Sequence, residues 1–342
     1  MSKLITATAL LISTTVAASA CTSAQTDPAP ASPVEQVAFP KSLSAQDQET
    51  IAYRDTLRPL DPCGYMDDAT VRRIGTPAYV GALFDFNTCV ASFKSPEGDL
   101  LGSVNLVMGG VTGTAVDEIT YSPNPPGDKC AASVRIDDRL SIMVFAHDGL
   151  DRCGVVRDVA ESVAAHRPER ALRATSPRAH VNSRLAALDP CAVLGKIGQG
   201  RRPALLSGDT PSPPRGPNQQ NRTNPWACSF QLDNGDASTT QDVRYKFTSA
   251  RFTAHAGNNE KEIRIGELPA LEISQPNDQL SYSTCSINIS TTPQPTASRP
   301  DPHNPLSDSG SSEIISIEAA GGCAAARATA EEIVRLYHQL PH

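Results

Sequence analysis

Nine cysteines are the residues with the clearest chemistry in this chain of 342 residues. One of them, Cys21, ends an apolar N-terminal stretch and stands alone. The other eight form two groups of four whose neighbours recur in the same order. The groups are Cys63, Cys89, Cys130 and Cys153, and Cys191, Cys228, Cys285 and Cys323. Cysteines repeated in even number predict a disulfide framework and therefore an exported protein.

Metal binding is the competing chemistry for these thiols. Structural zinc sites place cysteines a few residues apart or beside histidine ligands. The sequence holds no Cys-x-x-Cys pair and no cysteine–histidine cluster at such spacing. We therefore expect no metal and no cofactor, and we predict that the eight grouped thiols form disulfides.

Position along the chain favours one pairing within each group. The first cysteine precedes an opening helix and the second lies in a strand, so a bridge between them would pin helix to sheet. The third begins a strand and the fourth begins a closing helix. We predict the pairs Cys63–Cys89, Cys130–Cys153, Cys191–Cys228 and Cys285–Cys323. In the chain-entropy model, each such bridge stabilises the fold by roughly 3–4 kcal/mol.

Residues 1–20 have the composition of a signal peptide. Lys3 supplies a positive charge, and an uncharged run of small and aliphatic residues follows it. The sequence Ala18-Ser19-Ala20-Cys21 resembles a bacterial lipobox, in which the cysteine becomes the acylated first residue. Lipidation of Cys21, with palmitate as a typical acyl chain, explains why this cysteine is left over. The alternative is ordinary secretion, because the same small residues suit the general signal peptidase.

Four landmarks occur twice in the same order, which predicts an internal duplication. Leu60-Asp61-Pro62-Cys63 recurs as Leu188-Asp189-Pro190-Cys191. In each copy there follow a cysteine within a strand-like run, a cysteine that opens a second run, and a cysteine that begins an amphipathic helix. We predict a signal peptide over 1–20, a lipidated tether over 21–56, a first domain over 57–168, a linker over 169–184 and a second domain over 185–342.

Each copy has the element order of an α+β unit. In the first copy, an acidic start and Gly75 bound a short helix over 67–74. Alternating apolar residues predict strands over 79–84, 88–93, 103–108, 115–121, 132–136 and 140–146. In the second copy they predict strands over 242–247, 262–265, 270–273, 284–289 and 313–317. We expect two tandem antiparallel sheets, each with an opening helix, a cysteine-led closing helix and two disulfides.

Charge and motifs exclude several functions. The formal net charge is −7, and nucleic-acid binders carry basic surfaces, so we expect no nucleic-acid partner. The sequence contains neither His-Glu-x-x-His nor Gly-x-Ser-x-Gly. His147-Asp148 could pair a base with an orienting carboxylate, but an exposed turn is the better explanation of these residues. We therefore predict no catalytic residue and no enzymatic activity.

Several of these motifs resemble one family. The Leu-Asp-Pro-Cys openings, Trp226 near the strand cysteine Cys228, and the helices led by Cys153 and Cys323 resemble actinobacterial cell-envelope lipoproteins catalogued as a domain of unknown function. Glu267-Leu268-Pro269-Ala270, before a strand, also looks like a feature of that family. The architecture is similar to the extracellular sensor domains of mycobacterial-type serine/threonine kinases. The resemblance implies a fold and a location, and it implies no catalytic residues.

We therefore expect an envelope lipoprotein with a non-enzymatic binding or accessory role. Its partners would be the membrane, through the lipid on Cys21, and an unknown envelope protein, peptide, glycan or lipid. The expected location is the extracytoplasmic face of the cell membrane, with secretion as the alternative. Two other functions stay open, an envelope hydrolase with an unrecognised active site and a secreted structural subunit of an envelope complex.

Overall fold

Alternating apolar residues build long antiparallel strands in both halves of the chain, and helices cover one face of them. The structure is a computed structural model that describes residues 43–83, 85–111, 118–122, 130–147, 150–173, 175–176, 183–206, 223–233, 236–249, 259–275, 284–291 and 311–341. The predicted signal peptide, Cys21 and most of the predicted tether lie outside these residues. All described residues belong to one compact unit, Val37–His342.

Helices form a small part of the described chain. They are α1 (Ala45–Leu57), α2 (Asp68–Ile74), α3 (Arg152–His166), α4 (Leu194–Ile197) and, as α5, Gly322–His338. Short 3-10 turns lie at Pro62–Tyr65, Arg167–Glu169, Arg184–Ala187, Pro190–Val193 and Ala237–Thr239. Among these described helices, none combines the length and the apolar character that a membrane span requires.

Aspartate side chains set the starts of the opening turns. Both Leu-Asp-Pro-Cys sequences form the same capped 3-10 turn. The Oδ1 atom of Asp61 accepts from the backbone N of Cys63 at 3.0 Å, and Oδ1 of Asp189 accepts from the N of Cys191 at 2.9 Å. Each carboxylate satisfies a backbone donor that the turn leaves free. Asp67 caps α2 in the same manner, so the helix predicted over 67–74 is confirmed.

Thirteen strands are described. They are β1 (Thr76–Leu83), β2 (Asp85–Lys94), β3 (Leu100–Gly110), β4 (Ile119–Ser122), β5 (Ala131–Arg135), β6 (Leu140–His147), β7 (Ala204–Leu205), β8 (Ala227–Gln231), β9 (Thr240–Ser249), β10 (Glu260–Ile265), β11 (Leu268–Gln275), β12 (Thr284–Ser290) and β13 (Ser311–Ala319). Each run of alternating residues singled out in the sequence overlaps one of them. The two-residue strand β7 carries no such signal.

Strand order is the same in the two halves of the chain. The first six strands pair in the order β1-β2-β3-β6-β5-β4, and the others pair as β7-β8-β9-β13-β12-β11-β10. The two orders correspond strand by strand, with β10 as an additional edge strand. These pairings are antiparallel, and the two sets meet where Asp85 of β2 pairs with Lys246 of β9. The prediction of an α+β fold with antiparallel sheets is confirmed.

One face of each sheet packs against the helix that closes its half. The buried residues of α3 include Val156, Val159, Ala160 and Val163. Those of α5 include Ala326, Ala330, Ile333 and Val334. Full burial of a side chain the size of valine or isoleucine stabilises the fold by about 1.5–3 kcal/mol. The buried apolar residues of both halves belong to one continuous core.

Four disulfides fasten these elements. They join Cys63 to Cys89, Cys130 to Cys153, Cys191 to Cys228, and Cys285 to Cys323. Their Cα–Cα distances are 5.0, 5.1, 5.3 and 5.0 Å, which are typical of disulfides. In each half one bridge joins the capped turn to a strand. The other joins the closing helix to Cys130, directly before β5, or to Cys285 in its counterpart β12. The prediction that these eight cysteines form disulfides is confirmed, with the connectivity expected from their positions.

Two segments predicted as connections are packed into the fold. Residues 45–56, at the end of the predicted tether, belong to α1, and the last residue of that helix, Leu57, is fully buried. In the predicted linker, the backbone N of Arg173 donates to the carbonyl oxygen of Pro59 at 2.7 Å. Leu57 and the guanidinium groups of Arg54 and Arg173 are buried, which a free connection would not allow. The tether therefore ends before α1, and part of the linker lies against the first half.

Because the two halves share one core, we expect the protein to unfold in a single cooperative transition. Differential scanning calorimetry checks this, since the van't Hoff and calorimetric enthalpies agree when no intermediate is populated. Two resolved transitions, one for each half, would show that the halves are energetically independent.

Candidate functional site

Buried charge is concentrated where α1 contacts the second half of the chain. Arg54 of α1 is 1% exposed. Its Nη1 donates to Sγ of Cys191 at 3.2 Å, and its Nη2 donates to the carbonyl oxygen of Ala227. Nη2 also lies 3.9 Å from Oδ1 of Asp189. One side chain from α1 thereby contacts the turn, the disulfide and the strand that open the second half.

The negative charge of Asp189 lies close to two positively charged arginine side chains. Besides capping its turn, its Oδ1 lies 3.1 Å from Nη2 of Arg58. Nη1 of Arg58 donates to the carbonyl oxygen of Leu188 at 3.1 Å. Burial lowers the pKa of Arg54 to about 10, and the negative charge of Asp189 opposes that shift. The guanidinium therefore stays protonated at neutral pH, and the carboxylate offsets part of the free energy that its burial costs.

Arg173 lies in the same region among aromatic rings. Its guanidinium carbon is 4.6 Å from the ring centroid of Trp226, and its Nη2 donates to the carbonyl oxygen of Phe86. The Phe86 ring stacks on Trp226 and Phe247, with centroids 5.8 and 4.6 Å away. Burial lowers the pKa of Arg173 to about 10, and the charge of Asp61 opposes the shift. The ring face of Trp226 attracts the cation that burial disfavours.

We name Arg54, Arg58 and Arg173 the arginine cluster. Exposed arginines in such a group would suit an anionic ligand, since guanidinium matches carboxylate and phosphate. Here each guanidinium contacts groups of the same chain, namely backbone carbonyls, a disulfide sulfur, an aromatic ring or one carboxylate. Nε of Arg54 and both Nε and Nη1 of Arg173 are buried without a hydrogen-bond partner among the described residues, and burial leaves them out of reach of a ligand. The cluster is therefore a structural site that joins the two halves of the protein.

A serine, an aspartate and a histidine lie together where α2 meets α3, with hydrogen bonds unlike those of a catalytic triad. In a triad the serine hydroxyl gives its proton to the imidazole. Here Oγ of Ser162 donates to Oδ2 of Asp67 at 2.9 Å. Nδ1 of His166 lies 2.8 Å from the carbonyl oxygen of Ser162, one turn earlier in its own helix. The group caps α2 and fastens it to α3.

His147 does not acquire a catalytic partner among the described residues. It is exposed at the end of β6, and the strand register places Ser103 opposite it. Its Nε2 lies 3.3 Å from Nδ2 of Asn105, an amide donor that makes this nitrogen an acceptor. Asp148 and His255, the other residues that could complete such a site, lie outside the described residues.

One group of possible metal ligands is already engaged. Atoms of Glu272, Cys285 and Cys323 lie within 4.8 Å of one another. The two sulfurs form a disulfide, and zinc binds thiolates. Glu272 accepts hydrogen bonds from Nε and Nη2 of Arg327 at 2.5 and 2.7 Å. Cys285 and Cys323 therefore form a disulfide next to the ion pair of Glu272 with Arg327, and their ligand atoms are already used.

The sheet face opposite the closing helix, which we call the open face, carries an apolar patch in the first half. Cross-strand neighbours share a face of an antiparallel sheet. On β3 and β6 the neighbours are Val107 with Met143 and Asn105 with Phe145. All four side chains are half-buried. Val107, Met143 and Phe145 form the patch, and Ser103, Asn105 and Ser133 border it on the same face.

The open face of the second half has a polar row at its centre, with Leu271 and Ile314 beside it on the same face. Across β12, β13 and β9 the register aligns Asn288, Ser316 and Arg244, all half-buried. Arg244 donates through Nε and Nη2 to both carboxylate oxygens of Asp242 at 2.7 and 2.8 Å. Oγ of Ser229 donates to the same carboxylate at 2.5 Å. Corresponding surfaces of the two halves therefore differ in chemistry although the strand order beneath them is the same.

Sequence reasoning located the cysteines and missed the arginine cluster. Cys21, the predicted lipidation site, lies outside the described residues. Arg54 and Arg58 fall within the segment predicted as a tether and at its border. Their spacing of four residues places them on one helix face, next to Ile51 on the same side. That pattern was the available signal, and the polar neighbours in the same segment obscured it.

Comparison with known proteins supplies no relative. No family model, no curated protein and no solved structure matches the chain.

We expect Asp189→Asn to destabilise the protein by about 3 kcal/mol, because it leaves the buried guanidinium of Arg54 without its counter-ion. Asparagine keeps the oxygen that caps the turn. The matched control is Asp236→Asn, which changes the exposed cap of the 3-10 turn Ala237–Thr239. Asp236 forms no ion pair among the described residues, so this variant should lose less than about 1 kcal/mol. Urea unfolding at neutral pH measures both, and equal losses would contradict the role given to Arg54.

Asp67 gives a pH-dependent contribution to stability. Burial alone would raise its pKa, but hydrogen bonds from Thr70 and Ser162 outweigh burial and hold the pKa below the ordinary value of 3.8. A carboxylate with a lowered folded-state pKa stabilises the protein above its unfolded-state pKa and loses that contribution on acidification. At neutral pH, Asp67→Ala should cost about 1 kcal/mol. The difference from wild type should narrow below pH 3.8 in unfolding measurements, and a constant difference would refute this assignment.

Proposed function

We propose that this protein is a lipid-anchored envelope protein with a binding or accessory role, built from two copies of one α+β unit. The anchor is the acylated Cys21, and the partner is an envelope protein, a peptide, a glycan or a lipid. The resemblance to actinobacterial envelope lipoproteins stays a prediction that fits this role.

The duplication is supported by equivalences that extend beyond sequence. The strand orders of the two halves correspond, and both halves open with an aspartate-capped turn. Their disulfides join equivalent elements. Independent origins of the two halves would have to reproduce the order, the caps and the bridges together.

Export is supported by the four disulfides. Such bridges persist in oxidising compartments and are rare where cytosolic thiol systems keep cysteines reduced. All eight cysteines after Cys21 are used in them. A thioether to lipid would give the remaining cysteine a covalent role, and two or more acyl chains suffice for stable anchoring.

A binding role is favoured by the difference between the open faces. This is the observation that carries the proposal. Met143 and Phe145 lie at the centre of one open face, and Asn288 and Arg244 lie at the centre of the other, so the two faces offer different chemistry to a partner. Rigid sheets offer surfaces on which such side chains are held in fixed positions. The serine and histidine contacts at Ser162 and His147 give no support to hydrolysis.

Site-specific photo-crosslinking tests the binding role. A photoreactive amino acid is placed at Phe145 or Asn288 on the open faces, and at exposed Glu161 on α3 as the matched control. Irradiated cells should yield defined adducts from one or both open-face positions and none from the control. Adducts from the control alone, or none from either face, would overturn the assignment of binding to these faces.

Lipidation gives a separate prediction. The mature wild-type protein should have the mass of a chain that begins at Cys21 plus a diacylglycerol and a fatty acid, and it should sediment with membranes. Cys21→Ala should give an unacylated protein that is recovered in the soluble fraction. Intact-mass spectrometry and fractionation measure both. An unmodified wild-type Cys21 would refute the anchor while leaving the binding test unaffected.

A further inference from the structure

The four disulfides differ in how far water and solutes can reach them. Five of the eight cysteines are at most 1% exposed, namely Cys63, Cys89, Cys191, Cys228 and Cys285. Cys323 is half-buried and Cys130 is 9% exposed. Cys153 alone among these eight is exposed. We propose that the Cys130–Cys153 bridge is a thiol-exchange site, at which an external thiol attacks the sulfur of Cys153.

The four bridges differ more in their accessibility to an external thiol than in the length of the loops that they close. The sequence separations of the four pairs run from 23 residues for Cys130–Cys153 to 38 for Cys285–Cys323. Loop length enters the chain entropy only as a logarithm, so this range has a small effect. Exchange requires a thiolate to reach a disulfide sulfur directly. A buried bridge must therefore wait for the core to open, whereas Cys153 can be attacked in the folded protein.

The position of Cys153 favours the second step of an exchange, in which its own thiolate is released. It lies in the first turn of α3, a helix of 15 residues. Backbone N–H groups at a helix start carry partial positive charge, which stabilises a nearby thiolate. Asp151 accepts from the N of Gly154 at 3.4 Å and offsets part of that charge. Exposure therefore directs the first attack to Cys153, and the helix start assists its later release from the mixed disulfide.

The exchange proceeds in two balanced steps. A low-molecular-weight thiolate attacks Sγ of Cys153, a new sulfur–sulfur bond forms, and the bond to Cys130 breaks. The Cys130 sulfur leaves as a thiolate and takes a proton from water. A second thiol attacks the mixed disulfide, releases Cys153 as a thiol and leaves as the external disulfide. Two external thiols are oxidised and one protein disulfide is reduced.

Other contacts hold α3 in place when the bridge is open. Its valine and alanine stripe is buried against the sheet. Asp158 pairs with Nε of Arg73 at 2.9 Å, and Ser162 bonds Asp67. The reduced protein should therefore keep its fold, and the bridge can reform. This site does not depend on the proposed binding role.

Stepwise reduction of the full-length protein tests the proposal. Dithiothreitol is titrated in without denaturant, free thiols are blocked with iodoacetamide, and peptides are identified by mass spectrometry. Cys130 and Cys153 should be labelled together, at least about tenfold faster than any other cysteine of the folded domain. The matched control is Cys285–Cys323, which joins the equivalent elements of the second half. Equal or faster labelling of the control would overturn the proposal.

Glutathione identifies the attacked sulfur. At limiting glutathione, the mixed disulfide should be found on Cys153 and the free thiol on Cys130. The opposite distribution would contradict attack at the exposed sulfur. The double variant Cys130→Ser/Cys153→Ser should keep the far-ultraviolet circular dichroism of wild type and resist mild reduction at its three remaining bridges. Loss of the wild-type spectrum in that variant would refute a bridge that opens without unfolding.

Discussion

The burial of the Arg54 guanidinium is the constraint on which the joined structure depends. A charge that is 1% exposed is tolerated only with a counter-ion and hydrogen-bond acceptors in fixed positions. Asp189, the Cys191 sulfur and the Ala227 carbonyl supply them, and all three belong to the second half of the chain. Since Arg54 lies in α1, the first helix can pack in this way only when the second half is folded. The contacts of Arg54 therefore form only when both halves of the chain are folded.

The aromatic residues reinforce the same junction. Only 5% of the chain is aromatic, so the cores of the two halves consist mainly of valine, leucine, isoleucine and alanine. Phe86 of the first half nevertheless packs on Trp226, Tyr245 and Phe247 of the second. Aromatic rings bury more apolar area than aliphatic side chains. Two rings in contact also stabilise the fold beyond the effect of the area that they bury. Within each half, disulfides constrain the unfolded chain and compensate for a core poor in such rings.

Much of the local structure could be predicted because its causes are local. Alternation marks the strands, Asp67 and Gly75 bound α2, and the cysteine positions favour the observed bridges. The junction could not be predicted, because its cause is tertiary. The helix α1 is mostly polar, so its sequence alone does not predict that it packs against the core. Its packing depends on the contact of Arg54 with Asp189, which lies far along the chain. The contact of Arg173 with Trp226 likewise depends on how the two sheets meet, and no sequence period encodes that. The open faces were also missed, since alternation gives a strand two faces without saying which one a helix covers.

A double-mutant cycle on Arg54 and Asp189 tests the central claim most directly. Unfolding free energies are measured for wild type, Arg54→Met, Asp189→Asn and the double variant, so that effects of each residue on other neighbours cancel. The account predicts a coupling energy of at least about 1 kcal/mol, with the double variant less destabilised than the sum of the single variants. A coupling energy within about 0.3 kcal/mol of zero would show that the two residues act independently and that the halves are joined by other means.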